Sequence, residues 1–236
     1  MQTVSNSTGA VRGKTAIIPL LLVSFVPSIS VVFGIGVIEN EFFSQIFFIF
    51  CKIWIFMIPT LWYLKVEKKS FSKILPNKDG LVAGLVTGLF MSSIIIITWF
   101  LFEETLNTSR MTEMLNSKGL DSVNLYIIGM FYWIFINSLL EEYVFRWFIT
   151  IKFSELFGSD KIAIFLSAGV FNLHHAIALH LFGFLWWQVL LASFGLLSAA
   201  AIWSWLYIRY RSIWPCWLSH AICDVVVFGI GFTILF

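Results

Sequence analysis

Seven apolar runs, each long enough to cross a lipid bilayer, constrain this chain more than any other feature of its sequence. A helix rises about 1.5 Å per residue, so about 20 apolar residues cross a hydrocarbon core of roughly 30 Å. Because the fourth run is long and residues 161–208 can be divided differently, an eighth span stays open. The sequence therefore predicts an all-α, polytopic transmembrane helical bundle of about seven or eight spans. The seven predicted spans cover residues 16–38, 44–64, 80–102, 124–150, 161–181, 186–208 and 213–236.

The composition excludes a soluble globular protein, because 59% of the 236 residues are hydrophobic and only 12% are charged. Such a chain has too little polar material to cover a water-facing surface. The net charge of +2 does not point to nucleic acid, and none is predicted as a partner. The basic segment 65–78 instead favours contact with anionic lipid headgroups. The dispersed cysteines Cys51, Cys216 and Cys223 predict neither a disulfide framework nor a cysteine metal site.

The distribution of basic residues predicts a cytoplasmic N-terminus, since lysine and arginine favour short cytoplasmic loops. With this orientation the outer side keeps only Arg110 and Lys118, beside several acidic residues. For seven spans the C-terminus then lies outside. The inner side collects Arg12, Lys14, Lys65, Lys68, Lys69, Lys73, Lys78, Arg146, Lys152, Lys161, Arg209 and Arg211.

Ionisable residues inside the fourth run form the first candidate site. Each such residue costs several kcal/mol in hydrocarbon unless it is paired or hydrated, so it needs a reason to stay. Glu142 and Arg146 are four residues apart and predict an ion pair on one helix face, whereas Glu141 is turned about 100° away. Glu141 is therefore the candidate for binding or activating water. The competing interpretation is a helix end with ordinary surface charges.

Histidines in the fifth and seventh runs extend this candidate site. His175 lies one turn after Phe171 and is expected to face the bundle interior, while the adjacent His174 is expected to point elsewhere. His180 is expected near the membrane interface. His220 and Asp224 are four residues apart, so that the carboxylate can fix the imidazole tautomer; a purely structural hydrogen-bonded pair is the alternative.

The chain resembles the CPBP family of intramembrane proteases, which comprises CAAX-processing and bacteriocin-processing enzymes and is also called the ABI family. Three family motifs occur in order. They are Glu-Glu-x-x-x-Arg at Glu141, Glu142 and Arg146, Phe-x-x-x-His at Phe171 and His175, and His-x-x-x-Asn/Asp at His220 and Asp224. Asp224 departs from the family in that several members have Asn there.

The resemblance implies three regions: a polar cytoplasmic N-terminus at 1–15, variable N-terminal helices and a loop at 16–120, and a CPBP-like catalytic membrane core at 121–236. It also implies a glutamate-dependent endopeptidase, in which Glu141 and His175 activate water and His220 with residue 224 stabilises the oxyanion. Because an ionised Asp224 would repel the oxyanion, we expect Asp224 to orient His220 or to hold a proton. Glu142, Arg146 and Phe171 are expected to support the site.

Several alternatives stay open at this stage. No cofactor is expected, but Glu141, His175 and His220 offer the donors of a zinc site. A second is a non-proteolytic member acting in bacteriocin self-immunity or as a regulatory binding partner. A small transporter would use intramembrane Glu and His as a proton relay and best explains Lys52, yet no internal repeat is present. The roles of Lys52, His174 and His180 are left open.

The resemblance and the composition together set the expected partners and location. They are membrane lipids, a membrane-associated peptide or protein substrate, and in the regulatory reading a membrane partner. Small size and family usage predict a multi-pass protein of a bacterial plasma membrane, with its catalytic cavity open toward the cytoplasmic half. The identity of the substrate does not follow from the sequence.

Overall fold

The computed structural model describes residues 7–71, 76–116 and 122–236, and the side chains from residue 16 onward. Seven of its helices are long and apolar enough to cross a membrane, which confirms the predicted transmembrane bundle. No strand occurs within the described ranges. The predicted side of the N-terminus stays a prediction, and Lys73 and Lys118 lie outside the described residues. The seven spans are Ala16–Val37, Glu41–Val66, Lys78–Thr105, Val123–Phe157, Asp160–Leu181, Trp186–Tyr210 and Ile213–Leu235.

Eleven α-helices are found in the described ranges, and several continue into π-helical turns. The first helix begins at Ser7, before the span predicted from residue 16, and the segment between the predicted spans 80–102 and 124–150 contains a short helix. The helices are α1 Ser7–Ser24, α2 Val26–Val31, α3 Glu41–Leu61, α4 Lys78–Phe102, α5 Thr108–Asn116, α6 Val123–Phe131, α7 Ser138–Glu142, α8 Ile151–Phe157, α9 Asp160–Leu181, α10 Trp186–Tyr210 and α11 Ile213–Leu235.

Polar residues in the short connections set where the helices begin. Asn40 and Asn77 each accept a hydrogen bond from a backbone N–H three residues on, at 3.1 and 3.0 Å. Ser159 and Ser212 cap α9 and α11 in the same way, at 3.4 Å each. Gly158 ends α8 in the left-handed region, with φ of 64°. The asparagine and serine side chains satisfy N–H groups that have no partner within their own helix.

A row of glycines lets α4 approach α11 closely. A Cβ on Gly84 would overlap the backbone carbonyl of Pro215, and one on Gly88 would come within 3.0 Å of the backbone of Ser219. Close backbone approach is how helices pack in lipid, where the hydrophobic effect gives little driving force between helices. This contact holds an N-terminal helix against the helix that carries His220 and Asp224.

The fourth span, Val123–Phe157, is interrupted by π-helical turns at Tyr132–Asn137 and Tyr143–Thr150. They flank α7, which carries Glu141 and Glu142. At the second turn, the Thr150 hydroxyl donates to the carbonyl of Phe145, five residues earlier, at 2.8 Å. π-Helical turns change which residues share a helix face and occur often at functional sites. The predicted span 124–150 is thus seven residues too short at its end.

A network of four charges lies where the second and fourth spans end. The buried Lys152 bonds to Glu67 and, at 2.5 Å, to Glu155, while Lys69 contacts Glu67 at 2.8 Å. Burial alone would raise the pKa of Glu67, but hydrogen bonds and charges from Lys152 and Lys69 lower it overall. Burial alone would lower the pKa of Lys69, but Glu67 raises it overall. The network ties the segment after α3 to α8.

Candidate active site

The two adjacent glutamates of α7 have different surroundings, as their angular separation predicts. Glu142 is fully buried, and its Oε2 accepts a hydrogen bond from Arg146 Nε at 3.0 Å. The side chain of Glu141 keeps 14% of its surface exposed and lies beside the histidines. The predicted ion pair is therefore present, and Glu141 is the carboxylate that water or substrate can reach.

Arg146 is enclosed by aromatic rings. Its guanidinium lies 4.8 Å from the ring centre of Phe171 and 5.4 Å from that of Trp203, and the side chain has no exposed surface. Cation–π contacts of this kind reach about 2 kcal/mol or more when desolvated. Nη1 and Nη2 have no hydrogen-bond partner among the described residues. Arg146 thus serves as a buried counter-charge held in place by Glu142 and the aromatic wall.

Phe171, expected to support the site, packs against its histidines. Its ring centre lies 4.5 Å from that of His175, 5.5 Å from that of His174 and 5.9 Å from that of His220. The ring is fully buried and also contacts Arg146. One apolar side chain therefore packs against every histidine of the site and keeps water away from the ion pair.

The orientation of His175 follows from one hydrogen bond. Its Nδ1 lies 2.9 Å from the carbonyl oxygen of Phe171. A carbonyl only accepts, so Nδ1 carries the proton in the neutral ring and Nε2 keeps its lone pair. This lone pair can accept a proton from water, which is the chemistry predicted for His175.

His220 receives its orientation from Glu142, whereas the sequence assigned that role to Asp224. His220 Nδ1 donates to Glu142 Oε1 at 2.9 Å. Asp224 Oδ1 lies 3.7 Å from Nε2, beyond a hydrogen bond, and Glu141 Oε2 lies 3.9 Å from the same nitrogen. The packing of α11 against α7, which helical spacing within α11 does not reveal, accounts for the difference. The ring also stacks on Trp203 at 4.0 Å.

His174 was expected to point away from the site, and this expectation is wrong. Its ring centre lies 4.0 Å from that of His175, and the side chain is buried. It stacks on Phe145 at 5.6 Å with nearly parallel rings. The second π-helical turn of the fourth span places Phe145 against α9, so this face of α9 is also enclosed. His180 is exposed near the end of α9.

Two residues of the site were missed by the motif analysis. Lys52 Nζ donates to Asn137 Oδ1 at 2.5 Å, and Asn137 Nδ2 donates to Glu141 Oε1 at 2.8 Å. Asn137 precedes Glu141 by one helical turn, so its position in an apolar run was a detectable signal. Lys52 stood out in the second run, but its partner lies 85 residues away along the chain. Only the tertiary fold brings them together.

The residues best arranged for a metal ion differ from the predicted set. Donor atoms of Glu141, His174 and His175 lie within 4.8 Å of one another, with His174 in the place predicted for His220. One carboxylate and two imidazoles are a donor set known from catalytic zinc sites. The ligand atoms of these three side chains are therefore of the kind that bind a divalent cation. His175 would bind it through Nε2, because its Nδ1 is bonded to the carbonyl of Phe171.

The family comparison agrees with this geometry. Residues 123–226 match the model of the family described as type II CAAX prenyl endopeptidase Rce1-like. This range contains all three motifs of the site and lies within the predicted catalytic core. No significant match exists among the curated proteins or the solved structures that were compared. The predicted resemblance to CPBP proteins is confirmed: over residues 123–226 this multi-pass helical membrane protein is similar to the Rce1-like type II CAAX prenyl endopeptidase family.

Proposed function

We propose that the protein is an intramembrane endopeptidase that cleaves peptide bonds of membrane-associated peptides or proteins with a water activated by Glu141 and His175. The observation that carries this proposal is the convergence of a partly exposed carboxylate, Glu141, with His175 and His220 from two other helices. Three helices contribute one reactive group each. A purely structural protein has no evident need for this arrangement in hydrocarbon.

The first step is attack by water on the scissile carbonyl carbon. Glu141, assisted by the lone pair on Nε2 of His175, takes a proton as the new C–O bond forms. The carbonyl π pair moves to oxygen and produces a tetrahedral oxyanion. When the C–N bond breaks, the electron pair returns to the C–O bond and the proton held by Glu141 passes to the leaving amine. No other reactant is needed.

His220 is the donor for the oxyanion. Because Glu142 accepts from Nδ1, Nε2 is the nitrogen that remains available to the site. The carboxylates of Glu141, Glu142 and Asp224 lie 2.9–3.9 Å from the ring nitrogens. Two cations belong to the same group: Arg146 is bonded to Glu142, and Lys52 is connected to Glu141 through Asn137. A proton on both ring nitrogens brings this group to neutrality. A single well-placed donor typically contributes about 10²–10³ in rate.

Asp224 is proposed to limit the orientation of the His220 ring from 3.7 Å, while Glu142 on Nδ1 supplies the charge that keeps the ring doubly protonated. An ionised Asp224 also repels the developing oxyanion, so its charge opposes the chemical step. Replacing Asp224 by Asn removes the repulsion and keeps an oxygen acceptor. We therefore expect Asp224→Asn to preserve or raise turnover, and complete loss of activity would contradict this role.

The family and the charge distribution support a substrate class and a side of access. The family name refers to CAAX prenyl substrates. We propose CAAX-type, leader or pheromone peptides as the membrane-associated substrates. We propose a cytoplasmic N-terminus, access from the cytoplasmic half, and residence in a bacterial plasma membrane. If a cysteine at position 141 were labelled only from outside, this orientation would be wrong.

The experiment compares cleavage of membrane-anchored peptides by purified variants in detergent. Glu141→Gln and His175→Ala should abolish cleavage. Glu104→Gln and His180→Ala, which change the same residue types at exposed positions, should leave cleavage unchanged. If all variants and the wild type fail to cut while remaining folded, the non-proteolytic immunity or regulatory function gains support instead.

The same assay with a chelator tests the metal alternative. The glutamate mechanism predicts that cleavage continues after chelator treatment and dialysis. Loss of activity that zinc restores would favour a cation held by Glu141, His174 and His175, which would supply a Lewis acid for the carbonyl and its bound water. His174→Ala should then lose activity together with the metal.

A further inference from the structure

A polar chain connects the N-terminal half of the protein to Glu141. It runs from Lys52 in α3 through Asn137, the last residue of the first π-helical turn in the fourth span, to Glu141 in α7. Lys52 lies outside residues 123–226, the range matched by the family model. The three catalytic motifs therefore do not account for this part of the site.

Lys52 is costly where it lies, which argues for a role. It sits near the middle of the span Glu41–Val66, and its neighbour Ile53 is half exposed on the outer surface of the bundle. A lysine at such depth is unfavourable unless it is paired or reaches the interface. Its ammonium does not extend to a terminus of the span but ends on Asn137 at 2.5 Å.

The lysine determines which way the Asn137 amide points. An ammonium only donates hydrogen bonds, so the amide oxygen must face Lys52. The NH₂ group is then left to face Glu141 Oε1, which it reaches at 2.8 Å. A reversed amide would put two donors against each other at Lys52. The orientation follows from the chemistry of the neighbours.

We propose that Lys52 and Asn137 are positioning residues for the catalytic carboxylate of Glu141. The Asn137 amide holds Oε1, so that Oε2 remains directed to the side of His220, 3.9 Å from its Nε2. Lys52 prevents the amide from turning over and presenting its oxygen to the carboxylate. The inference rests on the proposed function, because it assigns a role to the carboxylate that activates water.

The charged and titratable groups around Glu141 come from four segments. Lys52 comes from α3, and the remaining groups belong to the fourth span, to α9 and to α11. They include Tyr132, Glu142, Arg146, His174, His175, His220 and Asp224. Among these, Lys52 is the group contributed by a helix outside residues 123–226. It makes the geometry of Glu141 depend on how α3 packs against the fourth span.

Steady-state kinetics of variants at both positions test the proposal. Lys52→Met and Asn137→Leu should each lower kcat about tenfold or more with little change in KM, as expected for loss of a hydrogen bond to a charged group. Lys52→Arg, which still only donates, should recover most of kcat. The double variant should be no slower than Asn137→Leu, because both residues act along one chain. Lys65→Met, at an exposed lysine of the same span, is the matched control.

Unchanged kcat in Lys52→Met, or a double variant slowed by the product of the single effects, would overturn the proposal. An equal loss of kcat in Lys52→Arg and Lys52→Met would also overturn it, because arginine only donates hydrogen bonds and should still orient the Asn137 amide, whereas methionine cannot. Thermal unfolding of each variant in detergent confirms that folding is retained. These arms require that the wild type cleaves a peptide.

An infrared measurement decides the inference even if no peptide is cleaved. The band of the Glu141 carboxylate stretch is obtained by subtracting the spectrum of Glu141→Gln from that of the wild type. The same subtraction, with and without Glu141→Gln, is then made for each variant. We expect this band to shift in Asn137→Leu and in Lys52→Met but to stay in place in Lys52→Arg and Lys65→Met. A band unmoved by all four substitutions would refute the positioning role. Absence of cleavage with the expected band shifts would refute only the proposed protease function.

Discussion

Removing the Arg146 charge should lower the melting temperature of the protein markedly, because the buried Glu142 would lose its ion pair with Arg146. Both members of the pair have no exposed surface, and Nε lies 3.0 Å from Oε2. Arg146→Met keeps a long apolar side chain among Phe171 and Trp203, so the loss is mainly electrostatic. Breaking a buried pair from one side typically costs about 3–5 kcal/mol.

This cost corresponds to a lowering of the melting temperature by about 6–20 °C, given the usual scaling for chains of this length. Glu142→Gln should cost a similar amount, since it leaves Arg146 buried without its acceptor charge. The double variant Glu142→Gln/Arg146→Met removes both charges and should be more stable than the sum of the single losses predicts, by about 1–3 kcal/mol. Thermal unfolding in detergent, followed by circular dichroism, measures all three.

Arg209→Met is the matched control, because Arg209 is exposed and its guanidinium lies over the Tyr210 ring at 5.7 Å. Such a contact contributes about 0.5–1 kcal/mol. If Arg146→Met unfolds within error of Arg209→Met, the pair does not stabilise the fold. If the double variant equals the sum of the singles, the two side chains act independently and the reasoning from a buried ion pair is refuted.

Three further predictions concern the parts of the fold that support the site. Glu67 has a lowered pKa in the folded protein, so its contribution to stability is complete above its ordinary pKa of 4.5 and is lost as the pH falls through the lowered pKa. The melting temperatures of wild type and Glu67→Gln should therefore differ at neutral pH and converge in acid. Lys69 has a raised pKa, so its contribution to stability is complete below its ordinary pKa of 10.5 and is lost as the pH rises through the raised pKa. The difference in melting temperature between wild type and Lys69→Met should therefore shrink in alkali. Gly84→Ala should destabilise the protein by about 1–3 kcal/mol because the new Cβ overlaps the backbone of Pro215. Gly229→Ala, with no described atom within 4 Å of its Cβ, should be neutral or stabilising. Equal melting temperatures of the two variants would contradict the close packing of α4 on α11.

The sequence predicted the spans because the length of an apolar run and the thickness of hydrocarbon are both local quantities. The seven runs and the Glu142–Arg146 pair follow from rise and periodicity along one helix, and both are present. The end of the fourth span was placed too early. Its π-helical turns alter the periodicity on which such a prediction relies, and propensity alone does not reveal where they occur.

The site shows the same division. Helical spacing pairs residues on one helix, so it led from His220 to Asp224, four residues on. The fold instead brings Glu142 to His220 Nδ1 from another helix, 78 residues earlier in the chain. The predicted direction of His174 rested on its angle on α9 alone, and the Phe145 ring that packs against it comes from another helix.

By itself the sequence determined the class of protein, the approximate spans and the motif residues that meet in the site, because these depend on composition and on spacing within single helices. Only the tertiary structure decided which carboxylate orients His220, that His174 joins the site, and that Lys52 reaches Glu141 through Asn137. Each of these depends on the relative position of two helices. That position is set by how their surfaces pack, and no short stretch of sequence encodes it.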